Sequence, residues 1–194
     1  MIGYELTRGL AYRAIRHREM HWYTRTLPLV CTLVVSACIL LLPSPPILLG
    51  KDGLVAGSLS VLSTLPGFYF AGLAAVATFN GLNMDAAMPS PAPTLKIRVA
   101  GAPSVVSLSR RQFLSYLFSY LVLLSFALCV ASLVIAAATP SLIGLKRQFI
   151  EAGLDGLWFV ARGFGVIGYV GAASSILITT LHGMFFLTER IHQP

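Results

Sequence analysis

Residues 112–138 read QFLSYLFSYLVLLSFALCVASLVIAAA. No charge interrupts this stretch, and it exceeds the roughly 20 apolar residues that an α-helix needs to cross the hydrocarbon of a bilayer. Its start is marked. Ser109 stands where an N-cap belongs, and Gln112 three residues on completes a capping box. Arg110 and Arg111 fall in the first turn, where each opposes the helix dipole at a cost of about 0.3–1 kcal/mol that an anionic leaflet offsets.

Working outward, three further runs repeat the pattern. One covers about residues 26–42, with Trp22 and Tyr23 before it at interfacial depth and Pro43-Ser44-Pro45-Pro46 after it. Lys51 and Asp52 then mark a turn, and a second run covers 54–79. Pro66 lies within it and removes one backbone donor, which predicts a kink. The last run begins at Leu157 and Trp158 and continues to about residue 188, long enough to tilt. Only 11% of the chain is charged and its mean hydropathy is +0.79, so no large soluble catalytic domain fits beside four spans.

The connections carry the polarity. Residues 1–25 hold Arg8, Arg13, Arg16, Arg18 and Arg25 and form a basic, helical segment preceding the membrane domain of residues 26–194. The length of that segment and the lack of a small-residue cleavage pattern give no sign of a processed signal peptide. The longest connection, 80–111, holds Pro89, Pro91, Pro93 and Pro103. Within it Thr94–Val99 alternates, with Leu95, Ile97 and Val99 on one face and Lys96 and Arg98 on the other, and 104–109 follows a turn-like Ala100-Gly101-Ala102-Pro103. A small β-hairpin is expected, packed on other elements because a lone hairpin is marginal in water. Residues 139–156 place Leu142, Leu145 and Phe149 at helical spacing beside Lys146, Arg147, Glu151 and Asp155, which predicts an amphipathic interfacial helix. Ten Lys and Arg residues fall on the side of the termini and the 80–111 loop, against Lys51, Lys146, Arg147 and Arg162 opposite. The positive-inside rule then puts both termini in the cytoplasm. The expected fold class is an all-α integral membrane protein, a four-helix transmembrane bundle with a basic cytoplasmic amino-terminal helix, a cytoplasmic hairpin and an outer interfacial helix.

Helices in lipid associate by close backbone approach, so small residues recurring every three or four positions point to packing faces. Gly57, Gly67 and Ala71 lie on such a stripe in the second run, and Gly165, Gly168, Ala172 and Ser175 in the fourth. Each stripe marks a helix contact inside the bundle or an interface between copies. Ionisable groups within spans are few. Arg162 lies about a turn inside the fourth run and His182 on its small-residue stripe; the first can snorkel to the interface or line a pore mouth, and the second can hydrogen-bond between helices or sense pH. Cys31, Cys38 and Cys129 sit in apolar runs as small packing residues.

Chemistry-bearing patterns are sparse. Arg16 and His21 match the Arg-x4-His pattern of HEPN ribonucleases, to which this segment is similar over those residues alone. His17 and His21 offer an i, i+4 pair without an evident third metal ligand. No Ser-His-acid set or phosphate-binding glycine loop is present, and no cofactor is expected. In size, span number and basic cytoplasmic face the whole chain resembles the small four-span membrane subunits of bacterial antiviral systems, such as the membrane partner of Kiwa or retron-linked effectors. That resemblance implies a non-enzymatic inner-membrane protein that senses infection or damages the membrane. From the residues come a homo-oligomer in contact with membrane lipid and a soluble cytoplasmic protein partner, bound through Lys96, Arg98, Arg110, Arg111, Arg13 and Arg16. Direct nucleic-acid contact is not expected. Two alternatives are a channel or transporter accessory lined by the small faces and, more remotely, a ribonuclease.

Overall fold

The computed structural model describes residues 8–17, 20–43, 46–78, 84–88, 90–99 and 102–190. Its helices account for 78% of the structure, and four of them are long and apolar enough to cross a membrane. The first, α1, covers Trp22–Leu41 and opens with a π-helical turn. The second is broken into α2 (Leu54–Leu62) and α3 (Leu65–Thr78). The break at Ser63 and Thr64 lies just before Pro66, whose ring cannot share space with the carbonyl four residues back. Strands β1 (Thr94–Val99) and β2 (Ala102–Ser107) pair antiparallel from Thr94 opposite Ser107 to Val99 opposite Ala102. The turn between them lies outside the described residues. Then come α4 (Arg110–Glu151) and α5 (Asp155–Phe185), which ends in a π-helical turn to Arg190.

The long helix α4 organises the rest. Phe113, Leu114, Leu117, Tyr120, Leu121, Ser125, Leu128 and Ser132 make a continuous buried stripe along it, with the three- and four-residue spacing of one helix face. Helices α2, α3 and α5 pack on α4, while α1 packs principally on α5. The spans therefore form a chain of neighbours more than a closed ring. Hydroxyl pairs tie them: Tyr120 to Ser175 at 2.7 Å, Tyr69 to Thr180 at 2.7 Å, and Tyr169 to both Ser132 and Ser58. Without water competing in lipid, such bonds contribute about 0.6–2 kcal/mol each.

One end of the bundle carries a folded cap. Residues Arg8–Ala14 form a 3-10 helix that lies against α4; residues 1–7 and 18–19 of the expected amino-terminal helix lie outside the described residues. Arg8 reaches the Tyr116 hydroxyl at 2.6 Å. The chain then runs extended, and Arg16 exchanges two backbone hydrogen bonds with Thr94 at 2.8 and 3.0 Å, which ties the hairpin to the amino-terminal segment. Leu95 turns inward, 2% exposed, while Lys96 is exposed, as the alternation predicts. The capping box on α4 is present, with Ser109 and Gln112 bonded reciprocally.

The opposite end departs from expectation. Instead of a span stopping near residue 138 and a separate interfacial helix, α4 continues through Pro140 to Glu151. Proline costs one donor there, but the residues that follow are mostly good helix formers. The stop comes at Gly153, φ +68°, where Leu154 bonds back to the Phe149 carbonyl and Gly153 to that of Ile150. This is the glycine-dependent Schellman ending.

At 1.5 Å per residue α4 is about 63 Å long, against about 40–45 Å for a bilayer with its headgroups. Its neighbours stop earlier: Ile39 near the end of α1 packs beside Val166 and Val170, and Ser58 near the start of α2 meets Tyr169 and through it Ser132. Beyond that level α4 and α5 continue as a two-helix hairpin, closed at its tip by Phe149 against Trp158, ring centres 6.1 Å apart.

Candidate functional site

The small-residue stripes are the first features to locate. A Cβ built on Gly57, Gly67, Gly165 or Gly168 would meet nothing within 4 Å, and Ala71 is exposed. These positions therefore face no described part of the chain closely. Ala172 packs against the core and the Ser175 hydroxyl bonds Tyr120. The glycines that permit close approach are different ones. At Gly72 a Cβ would lie 2.7 Å from the Phe118 ring and at Gly183 3.0 Å from Leu117, whereas Gly171 faces Thr32 at 3.7 Å, an ordinary contact. Helix α5 carries small residues on several faces, so a stripe can be drawn through it at more than one phase. Only the partner side chains single out the faces that touch.

The projecting hairpin exposes charged side chains (Lys146, Arg147, Glu151 and Asp155) together with apolar ones. Ile143, Leu145, Ile150, Leu154, Leu157, Phe159, Val160 and Phe164 of the projecting hairpin are all exposed. Arg162 belongs to this hairpin, about one turn past the level where Ile39 meets Val166. His182 lies at the other end, its ring 4.3 Å from Tyr23 and 6.1 Å from Phe113.

The six cations expected to form one partner surface are distributed otherwise. Arg110 is 7% exposed, turned into the cap. Arg111 is a structural joint: Nε and Nη2 grip the Asp85 carboxylate at 2.7 and 3.0 Å, and Nη1 donates to the Val76 and Ala77 carbonyls at 3.2 and 3.0 Å. It thereby satisfies the carboxyl end of α3, whose last carbonyls have no helical partner. The sequence could not show this, because Asp85 lies 26 residues away. Lys96, Arg13 and Arg16 remain exposed; the Arg98 side chain lies outside the described residues.

The Arg111 hydrogen bonds hold the Asp85 carboxyl below the usual carboxylate value. A depressed acid adds stability above its unfolded pKa and loses it as pH falls through the native one. The clasp is thus complete at neutral pH, and its contribution disappears as the solution is acidified below the ordinary carboxylate range. In Asp85→Asn this acid-dependent part of the unfolding curve should be absent, checked by thermal unfolding in detergent across that range. Because Asp85 is exposed, the effect is small.

Beside the cap is a cleft of about 680 Å³ lined by Arg13, Arg16, His17, His21 and Arg25 among others. Arg16 and His21 of the ribonuclease-like pattern thus share a cleft, but Arg16 is in the extended bridge to Thr94 and His21 in the first turn of the following helix. Among the described residues no group of three or more His, Cys, Asp or Glu could hold a metal. No protein-family model, curated protein or solved structure matches the chain.

Proposed function

We propose that this chain is a non-enzymatic membrane subunit that self-associates within a bilayer and couples it to a soluble partner at its capped, cytoplasmic end. The observation that carries this reading is the projecting α4–α5 hairpin and the α5 face leading into it, whose exposed apolar residues and open Gly165 and Gly168 have no described residue of their own chain against them. Apolar side chains that project past the level of the neighbouring spans are covered in a stable protein. Glycines with no Cβ neighbour are also the positions at which two helix backbones approach most closely in lipid. A second copy of the same hairpin supplies both the apolar cover and the matching glycines. Lys96, on the outer face of the cap, is oriented to meet an acidic soluble partner. This is the kind of subunit implied by the resemblance to the four-span components of antiviral systems.

Chemical cross-linking tests the self-association. With Cys31, Cys38 and Cys129 replaced by alanine, cysteine placed at Gly165 or Gly168 should yield cross-linked dimers with a short bismaleimide in native membranes. Cysteine at Gly171, which faces Thr32 of the same chain, should not. Equal cross-linking at all three positions, or none at any, would refute the interface.

A further inference from the structure

The cleft beside the cap has a composition that self-association leaves unexplained. Arg13, Arg16 and Arg25 converge on it with His17 and His21, and no carboxylate lines it among the described residues. The three arginines are exposed, yet the backbone presenting them is held firmly. Tyr12, Ile15 and Met20 are buried at 1%, 6% and 5% exposure between them, and Arg16 is pinned to Thr94 by two backbone hydrogen bonds. Like charges gathered around one volume repel each other unless an anion occupies it. Guanidinium groups match the oxygens of a phosphate with paired hydrogen bonds.

Depth selects the source of that phosphate. Arg25 lies two residues before Leu27, where the uncharged part of α1 begins, so its Cα is about 3 Å outside the apolar segment. Trp22, 60% exposed, is placed as an interfacial anchor on the same turn. This is the layer in which a bilayer holds its headgroup phosphates. We infer that the cleft binds the phosphate of an anionic phospholipid, with preference for a headgroup bearing two negative charges, through Arg13, Arg16 and Arg25. Arg13 and Arg16 are thereby assigned to lipid and not to a soluble protein partner. The inference requires a membrane around α1 and does not require self-association, so a monomeric protein would leave it standing.

The test is lipid binding by the full chain in detergent, read by native mass measurement and by thermal stabilisation. Phosphatidic acid and cardiolipin are added separately, with phosphatidylcholine as the neutral reference. Each Arg→Gln change at 13, 16 or 25 should weaken binding of the doubly charged lipids about fivefold, from roughly 1 kcal/mol per interfacial cation. Lys146→Gln and Arg147→Gln, in the distant hairpin, should not. Arg25→Gln, on the exposed face of α1, keeps the test valid if a change at 13 or 16 disturbs the fold. Equal loss for the distant pair would overturn the site as mere net charge. Binding of glycerol phosphate as tight as that of phosphatidic acid would overturn the lipid source. RNA cleavage by the purified chain, abolished by Arg16→Ala and His21→Ala, would overturn the inference in favour of a ribonuclease site.

Discussion

Replacing Tyr12 by alanine is expected to detach the amino-terminal segment from the bundle and destabilise the protein by about 3–5 kcal/mol, the range for losing a buried aromatic ring. The ring is 1% exposed, stacked on Tyr120 at 5.4 Å between centres and tilted against Phe113 at 6.1 Å. It is the main apolar anchor of Arg8–Ala14, and the Arg16–Thr94 bridge follows directly from it in sequence. Trypsin should therefore cleave the variant after Arg13 or Arg16 under conditions in which the parent resists. Tyr12→Phe has the opposite expectation. The hydroxyl is buried with no hydrogen-bond partner among the described residues, and burial pushes its pKa up. Deleting an unpaired buried hydroxyl removes a desolvation penalty of about 1–3 kcal/mol, so this variant should match or exceed the parent in stability. If phenylalanine proved as damaging as alanine, the ring packing would not be the source of the anchoring.

The second large effect is expected at Gly72. A Cβ there would lie 2.7 Å from Cε1 of Phe118, so Gly72→Leu must push α3 away from α4 or displace the ring. Overpacking of this kind costs about 1–3 kcal/mol, and here it also strains the Arg111 clasp that joins α3 to the start of α4. Gly67→Leu, on the same helix with open space at its Cβ, should leave the unfolding temperature in detergent unchanged or slightly raised, because leucine is a better helix former than glycine. A reversal of this order would contradict the packing of α3 on α4.

Much of the fold is legible in the residues because it depends on local quantities. Spans follow from run length and absence of charge, and Pro66 announces the break between α2 and α3. Alternation over Thr94–Val99 marks β1, and Ser109 with Gln112 marks the start of α4. Face selection depends instead on contacts distant in sequence. Gly72, Gly171 and Gly183 look no different from Gly67, Gly165 and Gly168 until Phe118, Thr32 and Leu117 are set against them. Arg110 and Arg111 are adjacent and chemically identical, yet one is buried and the other clasps Asp85. The charged residues after 139 suggest a separate interfacial helix, and only the continuous helix through Pro140 and the turn at Gly153 show where α4 ends. Arg13, Arg16 and Arg25 are legible as one basic segment, but that they share a cleft follows only from the burial of Tyr12, Ile15 and Met20 together.

The central claim is that the projecting α4–α5 hairpin is covered by further copies of this chain. Mass measurement of the protein in lipid nanodiscs tests it most directly. The expected result is a discrete multiple of 20.8 kDa, reduced to the single-chain mass by Gly165→Leu with Gly168→Leu while the unfolding temperature of the dissociated chain is unchanged. A single-chain mass for the parent protein, with no larger species at any protein-to-lipid ratio, would contradict it.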